Sequence, residues 1–196
     1  MPKPRRRRTS PAPALKKTPA AAAPSTRLFF AAWPTSDVQH ALGEFARAAQ
    51  RECGGRPVPA HNIHLTLVFV GAVARERMDG LEALAETIEG PAFTLEVNRA
   101  DYWRHNRIVW AGVKECPDVL TELVKRMERT LVGAGFQLNQ RPYVPHITLL
   151  RDAHRAPAQN RFVPVNWSIS EFALVESVQL DNSQLYEVLQ SWPLDT

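Results

Sequence analysis

The sequence predicts an α+β fold of two pseudo-symmetric lobes, on three observations. Strand and helix patterns alternate along the chain, yet several consecutive strand patterns are joined by turns too short for a parallel crossover, so antiparallel pairing dominates. His-aliphatic-Thr-Leu is written twice, in "NIHLTLVFVG" (62–71) and in "VPHITLLRDA" (144–153), each time inside an apolar run. A helical pattern precedes each copy, so the second half loosely repeats the first. With 196 residues, 44% of them hydrophobic, the chain is long enough to bury a sizeable core.

Residues 1–26, "MPKPRRRRTSPAPALKKTPAAAAPST", are rich in Pro, Ala, Lys and Arg and nearly devoid of large apolar side chains. Such a segment cannot bury enough surface to offset its ordering entropy, so a disordered basic tail is expected ahead of one bilobal domain over 27–196. Of the 24 Lys and Arg, seven lie in this tail with no acid, leaving 17 basic against 20 acidic groups and a net charge of −3 in the rest. An electrostatic tether to nucleic acid and a solvated tail without a specific role are both open readings. A transit peptide fits poorly, because prolines at 2, 4, 11, 13 and 19 interrupt the amphipathic helix it needs.

"RLFFAAW" (27–33) reads as the first strand. Residues 36–51 read as an amphipathic helix, with Val38, Leu42, Phe45 and Ala49 on one face and Ser36 as N-cap. After a break at "GGRPVP" comes the strand "IHLTLVFV", ended by Gly71, and then a helical pattern through Met78, Leu81, Leu84, Ala85 and Ile88. "FTLEVNRADYW" (93–103) and "RIVWAGV" (107–113) read as a hairpin turning at "RHN". A third helix carries Leu120, Leu123, Val124, Met127 and Leu131 and stops near Gly133 and Gly135. "YVPHITLLR", a loop over 152–164, and a closing strand pair in "WSISEFALVESVQL" and "QLYEVLQSW", turned at "DNS", complete the chain.

No run approaches the length of a membrane span, and no apolar segment follows the basic stretch as a secretory signal would require, so an intracellular, cytoplasmic monomer with no membrane partner is expected. Cys53 and Cys116 are far apart and lack metal-knuckle or redox spacing; they read as reduced thiols. His61 lies three residues before His64, on the opposite face of an extended segment, which argues against a shared metal. His40, His105 and His154 read as surface residues, His154 with an RNA contact open beside Arg151 and Arg155. The five tryptophans read as core or cleft wall.

In a strand, His64 and Thr66 project from one face while Leu65 and Leu67 anchor the other, and His146 and Thr148 repeat this opposite Ile147 and Leu149. One such copy is most simply a satisfied buried pair. Two are different: by average residue usage even one match arises in roughly one chain in fifty of this length. If the lobes face each other, two imidazoles and two hydroxyls converge on one volume. In-line displacement at phosphorus needs that arrangement, with one neutral imidazole to take a proton, one imidazolium to give a proton, and hydroxyls for the non-bridging oxygens. No metal or cofactor is called for, and no Gly-rich ATP loop is present.

In "RLFFAAWP", "NIHLTLVFVG", "RIVWAGV" and "RPYVPHITLLR" the chain resembles the two-histidine (2H) phosphoesterase superfamily, specifically the RNA 2′,3′-cyclic phosphodiesterases historically called 2′-5′ RNA ligases. The resemblance implies a bilobal fold, two mainly antiparallel sheets with helices outside, and the two motifs on central strands flanking a cleft. It implies His64 and His146 as the acid/base pair, Thr66 and Thr148 as phosphate-binding hydroxyls, and opening of a terminal 2′,3′-cyclic phosphate of RNA to a 2′-phosphate. Pseudo-symmetry leaves the two histidine roles interchangeable; His64 as acid and His146 as base is the preferred order. Arg151 matches a phosphate-clamping position and Tyr143 an aromatic one that could stack on the terminal base or belong to the core. Val144 stands where many members carry a basic residue, for which Arg141 and Arg56 could compensate. Cleavage or joining of 2′-5′ linkages at the same site, and a non-catalytic RNA-end-binding module, are the alternatives.

Overall fold

The computed structural model describes residues 25–139, 141–158, 163–180 and 183–195. In order these form β1 (Ser25–Ala32), α1 (Ser36–Cys53), β2 (Arg56–Pro57), a 3-10 turn at Ala60–Asn62 and β3 (Leu65–Ala74). A second 3-10 turn, Arg75–Arg77, leads to α2 (Met78–Ala85), β4 (Phe93–Val97), β5 (Arg99–Trp103), β6 (Ile108–Gly112) and α3 (Asp118–Gly133). β7 (His146–Arg151), β8 (Val165–Ile169), β9 (Glu171–Leu180) and β10 (Ser183–Pro193) close the fold.

Two four-stranded antiparallel sheets dominate, one ordered β10-β9-β1-β3 and the other β2-β7-β6-β5. The repeat is a topological one: β1 and β3 pair antiparallel with α1 between them in sequence, and β6 and β7 do the same around α3. Each helix buries one stripe, Val38, Leu42, Ala46 and Ala49 in α1 and Leu120, Leu123, Met127 and Leu131 in α3. α1 lies against β7, in the other half of the repeat, and α3 against β3. The halves are thereby interlocked, and a single apolar core draws on Phe30, Leu42, Leu65, Met127, Ile147 and Trp167 together. Full burial of each such side chain is worth about 1.5–3 kcal/mol.

Several sequence expectations are corrected. The first strand begins at Ser25, so the expected tail loses its last two residues; residues 1–24 lie outside the described residues. Thr35, not Ser36, is the N-cap of α1, and it makes no side-chain capping bond. The strand expected to stop at Gly71 runs through it to Ala74, because β1 continues alongside as far as Ser25. The "GGRPVP" break contains β2, a short edge strand where Pro57 leaves no interior ladder bond unmade.

The single strand expected over 93–103 is two, divided at Asn98, whose N–H donates to Gly112 O (3.0 Å) while its Oδ1 accepts from Lys114 N (2.9 Å). β4 turns away there to pair with β8 in a third, two-stranded sheet. The run 167–180 likewise breaks at Ser170. β7 is an interior strand, but β3 is the last strand of its sheet. Of the turn read at "DNS" (181–183), Ser183 opens β10, and residues 181–182 lie outside the described residues. No helix among the described residues is long and apolar enough to cross a membrane.

Candidate active site

β3 and β7 approach one another between the two sheets. His64 stands immediately before β3 and His146 opens β7. The two rings are anchored alike: His64 Nδ1 lies 2.7 Å from Asn62 O, and His146 Nδ1 lies 2.8 Å from Val144 O, each the carbonyl two residues back. A carbonyl only accepts, so Nδ1 carries the hydrogen in both rings and Nε2 of the neutral ring is left with its lone pair. His64 Nε2 lies 3.0 Å from Thr66 Oγ1, so the hydroxyl donates to it while the ring is neutral.

Sequence builds each seat differently. The 3-10 turn at Ala60–Asn62 presents the first carbonyl, and the Asn62 side chain fixes that turn by donating from Nδ2 to Gln184 O (2.8 Å) on β10. At the second seat Gly112 is the ladder partner of His146, and a Cβ there would come within 2.7 Å of Pro145 O and of the Trp110 ring. Only glycine admits that approach.

Aromatic rings wall the histidines. Trp33 stacks on His64 (5.3 Å, 1° between planes), Tyr186 meets it edge-on at 4.9 Å, and Phe29 lies 5.0 Å away. Trp103 meets His146 edge-on at 4.6 Å. Burial is the main cause that pushes His64 down to about 4, aided by the positive charge that His146 or Arg151 presents. His146 is lowered for the same leading reason, with Arg151 again contributing. Both rings are therefore neutral near pH 7 in the empty site.

His64, Thr66, His146, Thr148 and Arg151 all line one cavity of about 310 Å³, which brings both motif histidines and both motif threonines together with an arginine. Arg151, the last residue of β7, is exposed. Tyr143 lines a neighbouring cavity of about 410 Å³ that shares Thr66, Trp103 and His146 with the first. Its hydroxyl donates to Thr66 O (3.2 Å), tying the segment before β7 to β3, and burial pushes its pKa up. Arg141 lines the Tyr143 cavity, Val144 is exposed at its edge, and Arg56 lies outside both, paired with Asp152.

His40, His61, His105 and His154 are exposed, and His105 reaches the Tyr143 cavity. Among the described residues no cluster of three or more His, Cys, Asp or Glu is placed to hold a metal. Cys53 is buried and Cys116 exposed, both as free thiols. Sequence reasoning missed Asn62 and Tyr186 as site residues: a backbone carbonyl leaves no mark on residue type, and Tyr186 arrives from β10 through a register that pattern alone does not give. Trp33 and Trp103 were legible only as core or cleft wall.

Known proteins resemble this chain along most of its length. A sequence model described as the 2′-5′ RNA ligase superfamily matches residues 35–181. The RNA 2′,3′-cyclic phosphodiesterase of Escherichia coli (strain K12) is 35% identical over 173 residues, covering 86% of this chain and 96% of the relative. The protein of the same name from Thermus thermophilus is 31% identical over 182 residues, covering 86% and 90%. A crystal structure of E. coli LigT complexed with 3′-AMP superposes with a TM-score of 0.79 at 33% identity, over 88% of this chain and 100% of that one. With most of its length matched, the chain belongs to the 2′-5′ RNA ligase superfamily.

Proposed function

We propose that the protein is an RNA 2′,3′-cyclic phosphodiesterase that opens a terminal cyclic phosphate to a 2′-phosphate by acid-base catalysis between His64 and His146. The observation that carries this reading is the matched seating of the two imidazoles: each Nδ1 is anchored on the carbonyl two residues back and both rings face one cavity. The names of the relatives support the same substrate class.

The cyclic phosphate occupies the 310 Å³ cavity, and its nucleoside extends into the neighbouring one past Tyr143. Neutral His64 takes a proton from water through Nε2 as the water oxygen bonds to phosphorus. The bond from phosphorus to the 3′-oxygen breaks, and His146 gives that oxygen its proton. This order reverses the one preferred on sequence, because His64, stacked on Trp33 and flanked by Phe29 and Tyr186, is the ring whose surroundings disfavour the charged form. Thr148 donates to a non-bridging oxygen, Thr66 turns from His64 to do likewise, and Arg151 balances the charge.

The test is turnover of an oligoribonucleotide ending in a 2′,3′-cyclic phosphate, in excess chelator, with end-group analysis. A 2′-phosphate product is expected, and His64→Ala or His146→Ala should each lower the rate at least about a hundredfold. Undiminished turnover in either variant removes the assignment.

A further inference from the structure

The Tyr143 cavity, of about 410 Å³, contains a carboxylate for which the proposed hydrolysis has no role. Glu128 lies on α3, directly after Met127 of the buried stripe; it is half-buried and lines the cavity. Among the described residues no hydrogen bond or ion pair engages it, and Lys125, one turn back, is held by Glu122 instead (2.9 Å). Arg141 lines the same cavity, exposed, and is likewise unpaired among the described residues. A carboxylate and a guanidinium thus share one cavity without neutralising each other.

A carboxylate only accepts hydrogen bonds, and it repels a phosphate, so what it favours in a nucleotide is a donor group. The ribose at a cyclic end has none: its 2′- and 3′-oxygens are bound in the cyclic phosphate, and its 5′-oxygen continues into the strand. The donors that remain are those of the base. Guanine offers N1–H and N2–H side by side, matched to the two oxygens of one carboxylate. Adenine and cytosine offer an amino group beside a ring nitrogen that accepts, and uracil one N–H between two carbonyls, so each sets an acceptor against the second oxygen. Guanine O6, next to N1, calls for a donor, and Arg141, Asn106 and Asn139 all line the cavity. Phe69, 61% exposed, and Trp103 bring aromatic rings on which a flat base can stack. The volume falls within the usual range of small-ligand pockets.

We infer that Glu128 reads the terminal base and selects guanosine, accepting from N1–H and N2–H while a donor of the same cavity meets O6. The inference rests on reading this cavity as the place of the nucleoside. The contact is far from the bonds that form and break, and it is made equally before and during the reaction. Its effect therefore belongs in KM and leaves kcat unchanged.

The test compares the 2′,3′-cyclic phosphates of guanosine, adenosine, cytidine and uridine as substrates of the full chain. The guanosine compound should lead the others in kcat/KM by about tenfold, through KM. Glu128→Gln, which replaces one acceptor by a donor, should abolish that lead and favour adenosine and cytidine, whose amino group and ring nitrogen match an amide. Glu128→Ala should level the four substrates with kcat retained. A merely structural role for Glu128 would instead shift all four alike. No lead for guanosine in the wild-type protein, or a lead that survives Glu128→Gln, would overturn the inference. Equilibrium binding of the four nucleoside 2′-phosphates repeats the comparison without chemistry. If no cyclic phosphate is hydrolysed but the guanosine lead and its loss both appear in binding, the proposed hydrolysis fails while the base assignment stands.

Discussion

At His64 a ring that could ionise near neutrality is stacked flat on Trp33, flanked by Phe29 and Tyr186, and left one polar neighbour at Nε2, the Thr66 hydroxyl. Its depression to about 4 is the direct result. The dependence of kcat/KM on pH reports the free enzyme, so its two limbs belong to these rings before substrate is bound. The acid limb should fall as His64 gains a proton, near pH 4, and the alkaline limb as His146 loses one, below its ordinary value of 6.5. kcat should peak at higher pH, because the bound phosphate's negative charge favours imidazolium in both rings. Rates with a mononucleoside 2′,3′-cyclic phosphate, from about pH 3.5 to about 9, check this, and an alkaline limb of kcat/KM above 7 would contradict it. The imidazoles and hydroxyls were legible in sequence because their chemistry is carried by residue type at fixed spacing. The anchoring carbonyls of Asn62 and Val144 were not, since every residue has one.

Among the elements, β7 shows how much of a site depends on the turn at the end of a strand. Arg151 ends β7, and Asp152, with a φ of 58°, turns the chain left-handed directly after it. The Asp152 carboxylate accepts from Arg56 Nη2 (2.6 Å) and from Arg107 Nη2 (3.2 Å), and the Arg56 hydrogen bond leads the causes that hold it below the usual carboxylate range. Ala153 N donates to Arg107 O (2.9 Å), and a Cβ on Gly55 would come within 2.5 Å of Arg151 O. Arg151 is thus paired to β2 and followed by a segment bonded to the β5–β6 turn, so Asp152 fixes the backbone turn directly after the Arg151 side chain. Asp152→Ala, losing both charge and turn, should raise KM for a cyclic phosphate about tenfold with little change in kcat, as expected of a contact made equally before and during reaction. Asp152→Gly keeps the turn and Asp152→Asn largely so, and both should fall between. Equal KM values in all four proteins would show Arg151 to be independent of the turn. The strands and helices themselves were legible from period, since α1, α3, β6 and β7 follow the apolar pattern. Partner choice was not: nothing in "FTLEVNRADYW" says that its halves join different sheets, because the switch lies in the Asn98 hydrogen bonds to distant residues.

Across the whole molecule, charge is divided between an acidic body that carries the candidate site and a basic segment ahead of it. The body beyond residue 26 carries a net −3, although its proposed substrate is a polyanion, while residues 1–26 hold seven Lys and Arg and no acid. A net-negative body repels RNA at long range and holds a phosphate only where Arg151 and the histidines outweigh it locally. Seven cations on the same chain reverse that balance, and each phosphate they neutralise releases condensed counterions, steepening the fall of affinity with salt by about 0.7 per contact on a single strand. Removing residues 1–24, which lie outside the described residues and contain all seven, should weaken binding of a single-stranded oligoribonucleotide of roughly a dozen nucleotides and lower its slope against log salt by up to about 5. Turnover of a mononucleoside 2′,3′-cyclic phosphate, which offers the tail one phosphate already enclosed by the site, should change less than twofold or so. Binding of the oligonucleotide and turnover of the mononucleotide, each measured on full-length and shortened chains between about 50 and about 300 mM salt, separate the two contributions. An unchanged salt slope after truncation would mean that the body alone gathers RNA, leaving Arg56, Arg141 and Arg151 to do so against its own net charge.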